Sequence, residues 1–188
     1  SLTRQVIAAG ESISSSMETL IEMDFIHARA RLAKSMQAIQ CPIEPGGKLQ
    51  LNNALNPELI LNGHNVIPND INWDQSTHVI IISGPNTGGK TVTLKTVGLM
   101  SLMARAGLFL PVGKESKIPF YPEVYADIGD DQNIELSLST FSAHLKKIIH
   151  IINHAASGSL ILLDELGIAT DPQEGASLAE AVLTELND

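Results

Sequence analysis

The chain is poor in the residues that build disulfide scaffolds, aromatic cores and membrane spans. Its 188 residues include one cysteine, Cys41, which excludes an intrachain disulfide framework and any metal site built from several cysteines. Aromatic residues make up 4% of the chain and apolar residues 44%, so aliphatic side chains must fill the core. No apolar run approaches the roughly 18 residues of a membrane span, and no signal peptide is present. We therefore expect a cytoplasmic protein without a membrane partner.

Basic residues are also scarce. Lys and Arg number 12 against 21 Asp and Glu, which gives a net charge of −9. Such a surface repels phosphate backbones as a whole, although a local cationic nucleotide site is still allowed. The chain begins with Ser1 instead of Met and stops within a helical pattern at Asp188. We expect it to be a piece of a larger protein that does not grip nucleic acid by itself.

Apolar periodicity predicts an α/β fold. Strands and helices alternate from residue 79 onward, which favours a mostly parallel sheet flanked by helices. We expect a separate long helix over 1–40 and a nucleotide-binding domain over 41–188 that is truncated at its C-terminus. Gly107 is expected to cap a helix. The other predicted elements are short strands within 48–83, helices over 92–106, 131–156 and 174–186, and strands over 124–126 and 160–164.

Residues 84–91 have the pattern G-x-x-x-x-G-K-[ST], a phosphate loop. An apolar, β-type run over 79–82 precedes it and a helical pattern follows it. Lys90 would contact the β- and γ-phosphates of ATP, and the Thr91 hydroxyl would bind Mg²⁺. The alternative is a chance glycine-rich turn. The predicted nucleotide-binding residues here are Gly84, Pro85, Asn86, Thr87, Gly88, Gly89, Lys90, Thr91 and Thr93.

A second apolar run over 160–163 ends in Asp164 and Glu165, the form of a Walker B strand. Asp164 would bind Mg²⁺ through water, and Glu165 would orient or deprotonate the attacking water. Glu165 and Lys90 are thus the predicted catalytic residues. Such a carboxylate pair suits hydrolysis better than transfer to a small-molecule hydroxyl. The alternative is two unrelated carboxylates at a strand end.

Three further patterns leave two interpretations open on spacing alone. Residues 137–141 place hydroxyls at a helix N-terminus, where they bind phosphate or simply cap the helix. Residues 167–172 form a loop that could reach a second subunit or be an ordinary turn. His150 and His154 have metal-ligand spacing but lack a third ligand, which favours a solvated helix face.

Several of these segments together resemble the MutS family of DNA repair ATPases. Residues 84–91 resemble its phosphate loop, and the helix over 1–40 is similar to its lever helix. The Asp171-Pro172 pair resembles the second-type MutS branch, which lacks mismatch recognition and is tied to recombination. The other resembling segments are 125–132 and 137–142 (the signature region), 163–167, and 174–175.

The resemblance implies a P-loop ATPase of the ABC type that works as a homodimer and binds DNA in the intact protein. Each ATP would lie between the phosphate loop of one subunit and the signature helix of the other. Ser139 and Thr140 would then face the partner's γ-phosphate, and Thr170 and Asp171 would lie at the dimer interface. Asn86 would also touch the γ-phosphate. ATP and Mg²⁺ are the implied cofactors.

The chain departs from the family pattern in places. Ala169 stands where the family usually has glycine, and Asn56-Pro57 stands for a common His-Pro pair. The strand with the family's switch histidine, the DNA-encircling clamp domains and the C-terminal nuclease-like domain lie outside the chain.

Three functions are in competition. The first is an ATPase domain that couples the nucleotide state to movement of a DNA clamp. The second is a transporter ATPase subunit, although residues 137–142 are not the L-S-G-G-Q signature that this class requires. The third is a nucleotide-gated interaction module without turnover. Phosphate release measured beside nucleotide affinity separates the third from the first.

Overall fold

The computed structural model describes residues 1–85, 89–129, 137–167 and 171–187, and over these ranges the architecture is mixed α/β. Two small sheets of two strands each are accompanied by helices. The elements are α1 (Leu2–Ala8), α2 (Gly10–Ser35), β1 (Leu49–Ala54), α3 (Pro57–Leu61), β2 (Asn69–Trp73), α4 (Lys90–Arg105), β3 (Val124–Asp127), α5 (Ser137–His154), β4 (Leu160–Leu163) and α6 (Pro172–Asn187).

The first sheet is the antiparallel pair of β1 and β2, in which Leu51 lies opposite Ile71. It confirms the short strands predicted within 48–83. Helix α3 lies between them and was not predicted. Its sequence does carry a start signal, because the Asn56 side chain accepts a hydrogen bond of 3.0 Å from the Leu59 N–H and Pro57 follows as the first helical residue.

The second sheet is the parallel pair of β3 and β4, in register from Val124 opposite Leu160 to Asp127 opposite Leu163. Both strands were predicted. The chain crosses from one to the other through α5, as parallel strands require. Parallel strands end at the same edge of their sheet, so Asp127 and the residue after β4, Asp164, meet there.

Helix α4 packs directly on this parallel pair. A Cβ at Gly98 would lie 2.7 Å from Leu162 Cδ1, so the helix backbone approaches β4 closely at this point. The helix ends where predicted, since Gly107 adopts the left-handed φ of +66° just past Arg105. The buried face of α4 consists of Thr96, Val97, Gly98, Met100, Ser101 and Ala104.

One hydrophobic core joins the antiparallel sheet, α4 and β4, and aliphatic side chains fill it as the composition predicts. Its members are Leu49, Leu51, Ala54, Ile71, Val97, Met100, Ala104, Leu110, Val112, Ile118, Leu160 and Leu162.

The prediction of a strand over 79–82 is wrong. These residues have no regular secondary structure, and their apolar side chains are 37% to 75% exposed. Among the described residues, no backbone hydrogen bond joins them to either sheet. Valine and isoleucine favour strands because they fit a pleated, half-buried surface, and here no neighbouring strand provides that surface.

The N-terminal region contains two consecutive helices, α1 and α2, where one was predicted. Most of α2 is exposed, and it contacts the rest of the chain near its C-terminal end through the buried Ala33 and Met36. Two backbone hydrogen bonds of 2.8 and 2.9 Å then tie Ile39 to Leu110. The division into 1–40 and 41–188 stays a prediction.

None of the helices in the described ranges is long and apolar enough to cross a membrane.

Candidate nucleotide site

The N-terminus of α4 forms one side of the candidate site. Gly89 precedes the helix in the left-handed conformation, with φ +77°, and Gly84 has φ +149°, which also favours glycine. The Lys90 ammonium donates a hydrogen bond of 2.6 Å to the Gly84 carbonyl oxygen. This contact joins the two ends of the predicted phosphate loop. Asn86, Thr87 and Gly88 lie outside the described residues, and the described Pro85 is exposed.

The predicted magnesium ligands meet in the structure. The Thr91 hydroxyl donates a hydrogen bond of 2.6 Å to the Asp164 carboxylate. A hydroxyl and a carboxylate are the hard oxygen ligands that Mg²⁺ takes when phosphate oxygens supply the rest of its shell. In the described part of the chain, no group of three or more His, Cys, Asp or Glu side chains could hold a metal ion. The oxygen atoms of Thr91 and Asp164 are thus of the chemical type that Mg²⁺ binds.

Glu165 follows Asp164 in an unusual backbone conformation. Its φ is +54°, a left-handed value that is uncommon for a non-glycine residue, and its side chain is exposed. Residues held in sparsely populated conformations are concentrated at functional sites. The backbone thus turns sharply at the residue that the sequence selects as the base.

The Thr93 hydroxyl makes a hydrogen bond at the start of its own helix, α4. It donates a hydrogen bond of 3.0 Å to the Gly89 carbonyl oxygen. Asp171 is exposed, and its carboxylate accepts a hydrogen bond of 3.0 Å from the Gln173 N–H, which caps α6. Within the isolated chain, the structure therefore gives both residues local structural roles.

Three other predicted residues are not tested by these contacts. Ser139 and Thr140 lie in the first turn of α5, with side chains outside the described part of the structure, and Thr170 is outside the described residues. His150 and His154 lie on an exposed face of α5, where their rings stack with centroids 4.1 Å apart. The His154 Nδ1 atom lies 2.8 Å from the His150 carbonyl oxygen.

Sequence reasoning missed the role of Asp127 beside this site. Its carboxylate is 4% exposed and lies 2.6 Å from His144 Nδ1 and 3.1 Å from the Lys147 ammonium. Its carbonyl oxygen accepts a hydrogen bond of 2.9 Å from the Asp164 N–H. The sequence contained a signal, since Asp127 is an aspartate at the C-terminal end of a predicted strand, as Asp164 is.

Sequence reasoning also missed the structural role of Asn56. It is 3% exposed, and its side-chain amide donates a hydrogen bond of 3.0 Å to the Thr96 hydroxyl. Its side-chain carbonyl oxygen caps α3, so Asn56 links α3 to α4.

Cys41 behaves as the sequence predicts for a small apolar residue, because burial raises the pKa of its thiol to about 11.

Comparison with known proteins agrees with the sequence patterns. The family model for MutS domain V matches residues 80–188. The Endonuclease MutS2 of Lactobacillus helveticus is 47% identical over 183 residues, which are 97% of this chain and 23% of that protein. The Endonuclease MutS2 of Carboxydothermus hydrogenoformans is 49% identical over 174 residues, 93% of this chain and 22% of that protein. The chain therefore spans about a quarter of the length of these relatives.

Proposed function

This chain belongs to the MutS family, among the MutS2 proteins, and we propose that it binds and hydrolyses ATP with Mg²⁺ within a protein that acts on DNA in repair or recombination. The observation that carries the proposal is the 2.6 Å hydrogen bond between Thr91 and Asp164. It joins the end of the phosphate-loop pattern to the end of the Walker B pattern. We also infer the P-loop fold of ABC-type ATPases.

The residues at the start of α4 would bind the phosphates. A helix N-terminus presents unpaired N–H groups and a partial positive charge to an anion. Lys90 lies beside these groups, and its ammonium would exchange the Gly84 carbonyl oxygen for phosphate oxygens. Thr91 and Asp164 would hold Mg²⁺, which when bound neutralises charge on the β- and γ-phosphates.

Glu165 would act as the general base. Its exposed carboxylate follows the metal-binding Asp164 directly, so it is placed at the same edge of the β3–β4 sheet. A carboxylate there can accept a proton from the attacking water or fix its direction.

The Glu165→Gln variant tests this assignment. General-base catalysis contributes about 10²- to 10⁴-fold, so phosphate release should fall by at least about 100-fold while ATP affinity stays unchanged. Glu180→Gln, an exposed glutamate on α6, is the matched control. If Glu165→Gln releases phosphate at the parent rate, Glu165 is not the base. If the parent binds ATP without releasing phosphate, a nucleotide-gated interaction module is favoured instead.

The proposal extends to assembly. Ser139, Thr140, Thr170 and Asp171 would complete the nucleotide site of a second subunit in a cytoplasmic homodimer, and Asn86 would touch the γ-phosphate. Helix α4 leads away from the phosphate loop and ends at Arg105, shortly before Leu110. Leu110 is hydrogen-bonded to Ile39, which follows the end of α2 at Ser35. This path supports transmission of the nucleotide state through α2 to DNA-binding parts of the intact protein.

A further inference from the structure

Asp127 is a buried carboxylate that the proposed ATP chemistry does not use. It is the last residue of β3, and its partners His144 and Lys147 are three residues apart on α5. Residues three apart lie on the same face of a helix. A carboxylate taken out of water is destabilising unless charge-assisted hydrogen bonds replace its hydration. The contact therefore selects one rotation and one axial position of α5 against the strand.

The other side of Asp127 faces the nucleotide site. Its carbonyl oxygen accepts the 2.9 Å hydrogen bond from the Asp164 N–H. The Asp164 carboxylate in turn accepts the 2.6 Å hydrogen bond from Thr91. Successive hydrogen bonds thus connect α5 with the start of α4 through Asp127 and Asp164.

Helix α5 begins at Ser137, about two turns before His144 at 3.6 residues per turn. Because a helix is stiff over this distance, fixing it at His144 and Lys147 also fixes its N-terminus. We propose that Asp127, His144 and Lys147 are positioning residues that lock the N-terminus of α5 to the Thr91–Asp164 pair, so that breaking the contact slows ATP turnover without weakening ATP binding. The inference rests on the proposed function.

The kinetic test is made in the full-length gene product. Neighbouring residues of the same type on α5 serve as its controls. His144→Ala and Lys147→Ala should each lower the rate of phosphate release by about tenfold or more, since small misplacements of reacting groups have effects of this size. ATP affinity should stay within about twofold of the parent value, because interactions made only in the transition state leave ground-state binding intact. His150→Ala and Lys146→Ala, which change exposed residues of the same helix, should leave both quantities unchanged.

A conservative variant separates positioning from simple packing. His144→Asn keeps an N–H donor near the place of Nδ1, so it should restore most of the turnover that His144→Ala loses. Loss of ATP affinity in parallel with turnover would overturn the proposal. So would an equal loss of turnover in the control variants, or unchanged turnover in both His144→Ala and Lys147→Ala.

Amide hydrogen exchange provides a readout that does not depend on ATP. The Asp164 amide, held by the Asp127 carbonyl, should exchange faster in His144→Ala than in the parent or in His150→Ala. An unchanged exchange rate would overturn the positioning link. If the parent protein neither binds nor hydrolyses ATP, the proposed function fails, and the exchange measurement still decides whether α5 and Asp164 are coupled.

Discussion

Thr91 and Asp164 are 73 residues apart in the chain, and their side chains share a hydrogen bond of 2.6 Å. Each was predicted from a local pattern, Thr91 as the last residue of a phosphate loop and Asp164 as the carboxylate after a buried strand. Their meeting could not be read locally, because it depends on α4 packing over β4 at Gly98 and Leu162. The sequence thus predicts the residues of the site, and the fold provides their distance.

Asp127 shows the limit of such patterns at the residue scale. A carboxylate at a strand end can bind a metal, an arginine or a helix N-terminus. The pattern does not distinguish these partners. In this structure α5 provides the partners of Asp127, because His144 and Lys147 lie on the face of the helix that covers β3. Only tertiary packing determines that face.

The Asn56→Ala variant tests the buried amide that joins α3 to α4. It removes the cap of α3 and the hydrogen bond to Thr96, so the free energy of unfolding should fall by about 1–2 kcal/mol. Chemical denaturation measures the change. Asn62→Ala, at the exposed C-terminal end of the same helix, should change stability by less than about 0.5 kcal/mol. Equal effects of the two variants would contradict the role given to Asn56.

At the scale of elements, long periodic segments were predicted well. Helices α4 and α6 and strands β3 and β4 appear close to their predicted bounds, because their apolar residues recur at regular spacing or in continuous runs. Helix α5 lies within its predicted range of 131–156, of which 131–136 fall outside the described residues. The prediction of a strand over 79–82 failed for a different reason. A strand exists only beside another strand, and the four apolar residues have no strand neighbour among the described residues. Helix α3 was missed because its five residues are too few to show a period.

The turn after β4 is held against α6 by two glycines. Gly167 has φ +85°, and a Cβ added at Gly175 would overlap the Gly167 carbonyl oxygen. This close approach fixes the backbone two residues after the proposed base, Glu165. The geometry of that loop therefore depends on the absence of a side chain at position 175.

The Gly175→Ala variant tests this contact. Helix propensity alone would stabilise the protein by about 1 kcal/mol, as alanine replaces glycine within α6. We expect the opposite sign, a loss of at least about 1 kcal/mol, because backbone must shift to admit the new carbon. Thermal or chemical unfolding measures the sign. Gly10→Ala, whose added carbon meets nothing within 4 Å, is the control and should not destabilise the protein. Stabilisation by Gly175→Ala would contradict the close approach.

At the scale of the whole molecule, the net charge and the family membership bear on which part of the intact protein would bind the nucleotide and which would bind DNA. The chain carries a net charge of −9 and covers 22% to 24% of the length of its MutS2 relatives. A net negative surface repels the phosphate backbone of DNA. The charge therefore agrees with the proposal that this stretch binds the nucleotide and that other parts of the intact protein bind DNA.

Titration of the chain with a fluorescent ATP analogue in the presence of Mg²⁺ tests the central claim most directly. The Lys90→Ala variant removes the proposed phosphate contact, and Lys95→Ala, an exposed lysine on the same helix, is the matched control. We predict saturable binding by the parent and by Lys95→Ala, and a loss of at least about tenfold in affinity for Lys90→Ala, since charge-assisted hydrogen bonds contribute about 1.5–3 kcal/mol. Equal binding by all three proteins, or binding by none, would contradict a phosphate site at the start of α4.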